Sequence, residues 1–450
     1  MDDTICAIAT APGGALGIIR ISGVHTFEIL SNIFSKNLCE ARPYTLHFGQ
    51  ITDKTEVIDE AIVSVFRTPH SYTGEDSAEI SCHGSRYILN KVLQLLISNG
   101  ARQAGPGEFT QRAFLNGKLD LSQAEAVADL IASTSRATHQ VAMSQLRGHF
   151  STKLAQLREQ LLNLTSLLEV ELDFSDHEDL EFADRSELLS LAQQIKNHII
   201  TLAHSFETGQ ALKQGIPVAI IGKTNVGKST LLNQLLKDER AIVSDIDGTT
   251  RDTIEDTMDI NGVIFRFIDT AGIRDTTNQV EQIGIQRTYA AIEKSRIILW
   301  VFDEIPSQKE LEDSIKLTNG KSLIIILNKI DKHPEAQDIS LLNHALPFIS
   351  ISAKLGTNIP ALEQAIYNTV NLPTITEEDV IVTSSRHYDS LIRAQESLTR
   401  VIEGLSTQIP SDLIAEDLRL TLNHLADITG GIITPQETLN NIFSHFCVGK

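Results

Sequence analysis

The segment that most restricts the fold is Gly222-Lys223-Thr224-Asn225-Val226-Gly227-Lys228-Ser229. It follows the apolar run Val218 to Ile221 and precedes Thr230-Leu231-Leu232-Asn233-Gln234-Leu235-Leu236. This is a G-x4-G-K-[ST] phosphate loop in its required setting of strand, turn and helix. The two glycines let backbone amides curl around phosphates, and the helix N-terminus adds a favourable dipole. Lys228 brings a point charge to the β and γ phosphates, and Ser229 offers a hydroxyl to Mg²⁺. Asn225, Val226 and Thr230 complete the loop's expected nucleotide contacts. Such a chain is expected to bind a nucleoside triphosphate on a mostly parallel sheet.

The base is specified farther along, where Leu323 to Leu327 runs into Asn328-Lys329-Ile330-Asp331, an N-K-x-D pattern. An aspartate there accepts both N1–H and the exocyclic amine of guanine. Adenine offers an acceptor and a bare carbon at those places, so GTP is expected rather than ATP. Phe265 to Ile268 leads into Asp269-Thr270-Ala271-Gly272; Asp269 is placed to hold Mg²⁺ through water and Gly272 to sense the γ-phosphate. Ser352-Ala353-Lys354, after Phe348 to Ile351, fits the element beside the base. One such motif arises readily by chance, but four in order, each ending a strand-like run, define a nucleotide-binding α/β domain.

What is missing is equally specific. Small signalling GTPases place glutamine directly after D-x-x-G to orient the attacking water, and here that position is Ile273. Hydrolysis must be driven otherwise. Candidates are Asn225, the segment Ser244-Asp245-Ile246-Asp247-Gly248-Thr249-Thr250-Arg251-Asp252, and Glu281. An Asn amide oxygen with loop carbonyls can hold a monovalent cation against the phosphates; the other reading of Asn225 is loop geometry alone.

At 450 residues and 42% hydrophobic, the chain has material for about three domains. Cys6, Cys39, Cys82 and Cys447 show neither C-x-x-C pairing nor metal-ligand spacing, which suits a reducing cytoplasm. The start Met1-Asp2-Asp3 is acidic where a signal peptide would be basic, and no apolar run reaches a membrane span of about 20 residues. A net charge of −20 argues against bulk electrostatic coating of nucleic acid, so DNA is not expected as a partner and any RNA contact must be local or partner-assisted.

Residues 1–117 alternate short apolar runs, such as 17–23, 61–66 and 78–82, with helical stretches near 24–34 and 86–98, which predicts a small α+β domain. Residues 118–213 read as helix. There Leu154, Leu157, Leu161, Leu164 and Leu168 form one stripe, read as bundle core rather than a functional coiled coil. The cluster Glu169, Glu171, Asp173, Asp176, Glu178, Asp179 and Glu181 lacks a calcium-loop pattern and reads as a solvated helix junction. Gly215-Ile216-Pro217 opens and Asn371-Leu372-Pro373 closes a GTPase domain over 214–372. Helix resumes over 373–450, with Leu391, Leu398, Ile402 and Leu405 as a stripe. The expected fold class is multidomain α/β: an α+β N-terminal domain, an all-α helical domain, and a P-loop GTPase domain inserted in the helical one.

Several segments resemble the MnmE (TrmE) family of tRNA modification GTPases. They are G-T-T-R-D at 248–252, D-T-A-G-I-R at 269–274, Tyr72-Thr73-Gly74-Glu75-Asp76, the run from Pro106 to Asp120, and the final Phe446-Cys447-Val448-Gly449-Lys450. The resemblance covers the chain from near residue 3 to its last residue. It implies a homodimer whose N-terminal domain binds a 5-formyl or 5,10-methylene tetrahydrofolate as one-carbon donor. It also implies a heterotetramer with the FAD-dependent protein MnmG that installs a carboxymethylaminomethyl-type group on C5 of the wobble uridine, position 34, of certain tRNAs. By motif match, Arg20, Glu79, Lys118 and Lys450 correspond to folate contacts, although Arg20 and Glu79 taken alone read as a surface ion pair. Asn225, Ser244, Ile246 and Thr249 match the family's K⁺ loop, Thr250 joins Ser229 and Asp269 at Mg²⁺, and Glu281 matches the water-orienting acid. Cys447 matches a C-terminal cysteine without an assigned role. Thr224 and Asp247 depart from the family pattern, without removing a named ligand. A ribosome-assembly GTPase is the main rival reading; it would leave residues 1–117 unexplained and predicts a basic C-terminal RNA-binding tail that this chain lacks, and a third reading is a folate-binding one-carbon enzyme in which the GTPase is only regulatory.

Overall fold

Strand alternation in the first hundred residues produces a six-stranded sheet. Its strands are β1 (Ile5–Ile8), β2 (Leu16–Ser22), β3 (Thr45–Asp53), β4 (Glu56–Phe66), β5 (Ser77–His83) and β6 (Arg102–Gln103), in the order β3-β4-β5-β2-β1-β6. All neighbours are antiparallel except β1 and β6. The computed structural model describes residues 3–173, 185–236, 256–268, 289–318, 320–332, 347–370, 379–407, 409–431, 436–444, 446 and 448–449, the side chains of 169–173 and 436–437 excepted. The chain divides into two compact units, one of residues 1–131, 145–200 and 389–450, the other of 132–144 and 201–388.

In the first unit, helices α1 (Thr26–Ile33) and α2 (Arg86–Ser98) cover one sheet face, burying Ile19, Ile21, Val63, Val65 and Ile80 against Leu30, Leu89, Val92 and Leu96. The period of two leaves Leu46, Phe48 and Ile62 exposed on the other face, along β3 and β4. At its β1 side, that second face meets α3 (Glu108–Leu115), whose Phe109 is fully buried with Ile5 and Ala7. The helices α4 (Leu121–Ala132), α5 (Arg136–Leu146), α6 (His149–Asp173) and α7 (Arg185–Gln214) follow. The expected stripe of Leu154, Leu157, Leu161, Leu164 and Leu168 is fully buried on α6.

Beside its apolar core, the N-terminal domain also buries a polar network. Arg112 on α3 is 1% exposed, and its guanidinium bonds Asp3 Oδ1 (2.7 Å), Glu75 Oε2 (3.1 Å) and Glu108 Oε1 (3.2 Å). Glu75 also accepts Ser22 Oγ–H at 2.9 Å, and Ser22 in turn accepts from Ser77 at 2.9 Å. A buried guanidinium is tolerated only when paired and hydrogen-bonded in this way.

The second unit carries β7 (Ile216–Ile221), α8 (Lys228–Leu235), β8 (Asp256–Ile260), β9 (Val263–Phe267), β10 (Ile297–Phe302), α9 (Gln308–Thr318), β11 (Ser322–Leu327), β12 (Phe348–Ser350) and α10 (Ile359–Thr369). Its sheet runs β12-β11-β10-β7-β9-β8, parallel throughout except for the β8–β9 pair. Apolar side chains pack on both faces, as the continuous Ile, Leu and Val runs of β7, β10 and β11 require. The mixed α/β class expected from sequence is what forms.

The chain then enters α11 (Ser385–Ser406), α12 (Ser411–Thr429) and α13 (Gln436–Ser444), with α12 packed along α6. On α11, Leu391, Leu398 and Leu405 are buried as expected, but Val401 is fully buried while Ile402 is half-buried. At 100° per residue, either neighbour continues the stripe, and packing chose the first. The acidic cluster at 169–181 lies outside the described side chains.

Burial pushes the Cys6 thiol up to about 12 and the Cys82 thiol up to about 11, whereas Cys39 is exposed. A thiol-specific reagent at pH 8 will therefore modify Cys39 in the native protein well before Cys6 or Cys82. Replacing Arg112 by Ala leaves the half-buried Glu75 without its cation, while Glu108 keeps Arg102, at a cost of about 3 kcal/mol. The expected outcome is native-state labelling of Cys6 and Cys82 accelerated about 100-fold, followed by mass spectrometry of the tagged peptides.

Candidate functional site

Every described nucleotide motif sits at the C-terminal end of a parallel strand, where open α/β sheets bind ligands. The phosphate loop follows β7, Asp303 follows β10, the 328–331 segment follows β11, and Ser352 to Lys354 follow β12.

The phosphate loop has its working backbone. Gly222 and Gly227 adopt φ of +150° and +97°, conformations that side chains rarely enter. A Cβ at Gly222 would lie 2.3 Å from Val301 O on β10, and one at Gly227 would lie 2.3 Å from Asn328 Nδ2. Asn225 occupies the left-handed region at φ +62°, which Asn tolerates better than most residues, and its side chain is exposed. Val226 anchors the loop in the core at 2% exposure. Lys228 Nζ donates to the carbonyls of Gly222 (2.8 Å) and Lys223 (2.7 Å), so the ammonium already lies across the mouth of the loop. Burial holds its pKa below the usual lysine range. Ser229 is half-buried at the start of α8, and Thr230 is exposed.

Asn328 has a role that the motif alone did not reveal. It is 3% exposed; its Nδ2–H donates to Val226 O at 2.8 Å, and its Oδ1 accepts Ala353 N–H at 3.0 Å. One amide therefore ties the phosphate side of the site to the base side. Ser352 Oγ donates to Asp331 Oδ1 at 2.6 Å, and that bond lowers the pKa of the aspartate. The exposed Asp331 is thus kept ionised and oriented, as acceptance of two guanine N–H groups requires. Lys329, at φ +67°, pairs with Asp303 at 2.8 Å. Lys354 is exposed beside the buried Ala353. Ser244, Ile246, Thr249, Thr250, Asp269, Gly272 and Glu281 lie outside the described residues.

A second polar group assembles on the N-terminal sheet. Arg20 and Glu79 face each other on β2 and β5, and Glu79 Oε1 accepts Nε–H (3.0 Å) and Nη2–H (2.7 Å) from Arg20. The ion-pair reading of these two is therefore correct as far as it goes. The remaining Nη1–H of Arg20 donates to Gly449 O at 3.2 Å, a contact spanning 429 residues of chain. Phe443 and Phe446 pack with Leu121 and Ala124, and Val448 bridges to Pro106, which holds the C-terminal end beside β1. The Arg20 guanidinium lies 5.6 Å from the ring centroids of both Tyr72 and Phe109. Tyr72, part of the Tyr72 to Asp76 motif but not marked by it as a site residue, is 40% exposed and bonded to Thr110 at 2.9 Å. Lys118 Nζ donates to Pro69 O at 3.0 Å on the same loop as Tyr72. Arg20, Glu79 and Lys118 thus line one region, reached by the chain at Gly449. Lys450 and Cys447 lie outside the described residues. Among the described residues, no cluster of three or more His, Cys, Asp or Glu side chains is placed to hold a metal, and no helix is long and apolar enough to cross a membrane.

Residues 4–118 match the family model described as the GTP-binding protein TrmE N-terminus, and residues 121–447 match the MnmE helical domain. The chain is 52% identical over 494 residues to the tRNA modification GTPase MnmE of Phocaeicola vulgatus, covering 100% of this chain and 99% of that protein. It is 53% identical over 464 residues to the protein of the same name from Bacteroides fragilis, again over 100% and 99%. The corresponding protein of Flavobacterium psychrophilum is 49% identical over 460 residues, with coverage of 100% and 99%.

The base-side geometry gives a direct test. Xanthine presents a carbonyl where guanine presents its amine, so Asp331→Asn should lower GTP affinity by about 100-fold or more and favour xanthosine triphosphate. Competition binding with a fluorescent nucleotide measures both.

Proposed function

The chain belongs to the MnmE family of tRNA modification GTPases, and on that premise we propose that it is a potassium-dependent GTP hydrolase gating the modification of a tRNA wobble uridine. In this reading, an MnmG-type FAD protein joins a homodimer of this chain in a heterotetramer. Together they add a carboxymethylaminomethyl-type group to C5 of uridine 34, using a one-carbon unit from a 5-formyl or 5,10-methylene tetrahydrofolate. Residues 1–117 form the folate-binding and dimerisation domain, 118–213 and 373–450 the helical domain, and 214–372 the GTPase. The cytoplasm is the proposed compartment.

The observation that carries this reading is the meeting of Arg20, Glu79 and Gly449 beside Lys118 and Tyr72, in a chain that also builds a full guanine-recognition set. Cations, a carboxylate and an aromatic ring suit a pterin amide carrying a glutamate tail, with Lys450 following directly on Gly449. The exposed Leu46, Phe48 and Ile62 on the sheet's open face support a second copy as partner, since three large apolar side chains on one face are a protein-contact signature.

For hydrolysis, Ile273 offers no group to orient water. Glu281 takes that role, Asn225 with the backbone of Ser244, Ile246 and Thr249 holds K⁺ against the phosphates, and Ser229, Thr250 and Asp269 serve Mg²⁺. The left-handed backbone of Asn225 supports this, because it sets that side chain apart from the core-anchored Val226. Bound K⁺ supplies charge neutralisation of the kind an arginine finger provides.

Replacing Glu281 by Ala should leave GTP affinity within about threefold and reduce turnover by about 100-fold or more. Hydrolysis by the unaltered protein should run faster in K⁺ than in Na⁺, and Asn225→Ala should remove the difference; equal rates in both salts for the unaltered protein exclude the cation role. Nucleoside mass spectrometry of total tRNA should show loss of the 5-substituted wobble uridine when the gene is deleted, restored by the wild-type gene and not by Glu281→Ala. An unchanged profile with accumulated ribosomal subunits would replace this function with the assembly-factor reading.

A further inference from the structure

Strand β10 ends in a segment that belongs to no motif read from the sequence, yet it holds a cation from the loop on either side. In the order β12-β11-β10-β7, strand β10 lies between β11, which leads into Asn328 to Asp331, and β7, which leads into the phosphate loop. A nucleotide that touches both loops must therefore cross the end of β10, where the chain continues as Asp303. Lys329 Nζ donates to Asp303 Oδ2 at 2.8 Å, so this side chain runs from the β11 loop toward the end of β10, along the line the ligand must take. On the other side, Lys223 of the phosphate loop pairs with Glu310 of α9 at 2.7 Å, and Glu310 also accepts the Ser307 N–H and Oγ–H at 2.9 Å each.

The backbone of Lys329 is held as firmly as its side chain. It adopts φ +67°, a left-handed conformation that side chains rarely enter. The flanking amides keep it there: Asn328 N–H donates to Phe302 O at 2.7 Å and Ile330 N–H to Ile351 O at 3.3 Å, which ties the segment to the end of β10 and to the residue after β12. The ion pair is 28% exposed at Lys329 and 38% at Asp303, so it adds little to the stability of the fold. The bond from Lys329 lowers the pKa of Asp303. A strained backbone that its surroundings maintain beside a binding site points to a role in binding.

We propose that Asp303 is a positioning residue for guanine nucleotide binding, which holds the Lys329 side chain extended across the end of β10 so that its methylene stem forms a preset floor for the ligand. The proposal deepens the guanine-nucleotide reading of this site and rests on it. A free lysine side chain samples many rotamers, and ordering it at the moment of binding costs affinity. Asp303 orders it in the folded protein beforehand. Coulomb's law alone predicts the opposite sign for this carboxylate, because removing a negative charge near a polyanion tightens binding. Weaker binding after its removal is thus a signature of positioning. Glu310 supplies an internal control, since its partner Lys223 is 75% exposed and has its ammonium against α9.

The test uses the full chain, with GTP and GDP affinities from competition against a fluorescent guanine nucleotide and with steady-state hydrolysis. Asp303→Asn should weaken binding of both nucleotides by about tenfold. It should raise KM by a similar factor and leave kcat within about twofold. Lys329→Met should also weaken binding, and the double variant should lose no more than Lys329→Met alone, because the two residues act as one unit. Glu310→Gln should not weaken binding. Circular dichroism melts of Asp303→Asn and the wild type should superimpose. An Asp303→Asn protein that binds both nucleotides as tightly as the wild type or more tightly overturns the proposal. So do losses that multiply in the double variant, which is read against Lys329→Met however Asp303→Asn melts, and so does an equal loss in Glu310→Gln. Failure of the wild type itself to bind GTP overturns the reading beneath, and the same titration tells the two apart.

Discussion

A single buried guanidinium organises the N-terminal half of the molecule. Arg112 needs anionic partners because the interior cannot solvate it, and those partners arrive from three parts of the chain: Asp3 ahead of β1, Glu75 in the loop before β5, and Glu108 one turn earlier on α3. Satisfying it therefore fixes where α3 lies on the sheet. That placement puts Phe109 beneath Arg20 and gives Tyr72 its hydrogen bond to Thr110. It also gives the C-terminal end its seat, since Gly107, at φ +64° before α3, is packed against Phe443 and Phe446. Arg20 near the surface and Arg112 in the interior are thus two levels of one network, and the outer group inherits its position from the buried one.

The GTPase unit solves a different problem with one neutral amide. Its four nucleotide loops leave separate strands, and their relative positions must hold to a fraction of an ångström for phosphate and base to be bound together. Asn328 achieves this by bonding Val226 O on one side and Ala353 N–H on the other, at a distance from Gly227 that no side chain at 227 would permit. Asn at the start of N-K-x-D thus serves a structural purpose here, which leaves Asp331 free for the recognition proposed for it. Lys228 shows the same economy: its two carbonyl partners hold the ammonium at the loop mouth despite the cost of burial.

The difference between what could and could not be read from sequence follows from sequence separation. The phosphate loop, Asp331 and Ser352 were legible because each sits within a few residues of the strand end that positions it. The leucine stripe of α6 was legible from its period. Arg20 and Glu79 were found by resemblance, and no local rule pairs residues 59 apart. Their meeting depends on the β2–β5 register, which alternation constrains to one face without naming partners. The Arg112 network is of the same kind, as is the choice of Val401 over Ile402 on α11. Each is decided by tertiary packing among options that the local pattern leaves equal.

The charge distribution joins the two halves of the functional argument. With a net charge of −20, this protein has little general attraction for a polyanion. On the N-terminal unit, Arg20, Arg67, Lys91, Arg102 and Arg112 are each already paired with a carboxylate at 2.5 to 3.1 Å. Cations held in this way keep loops and ligand sites in place, and they are poorly available to release counterions from an RNA backbone. In the proposed reading, this is a physical reason for a second protein: the flavin partner would bring the tRNA as well as the redox chemistry, and the one-carbon site of this chain needs only to meet the extruded base. In that reading a nucleotide-driven conformational change would have a definite task, because a substrate held mainly by the partner would have to be brought to a site that binds it weakly.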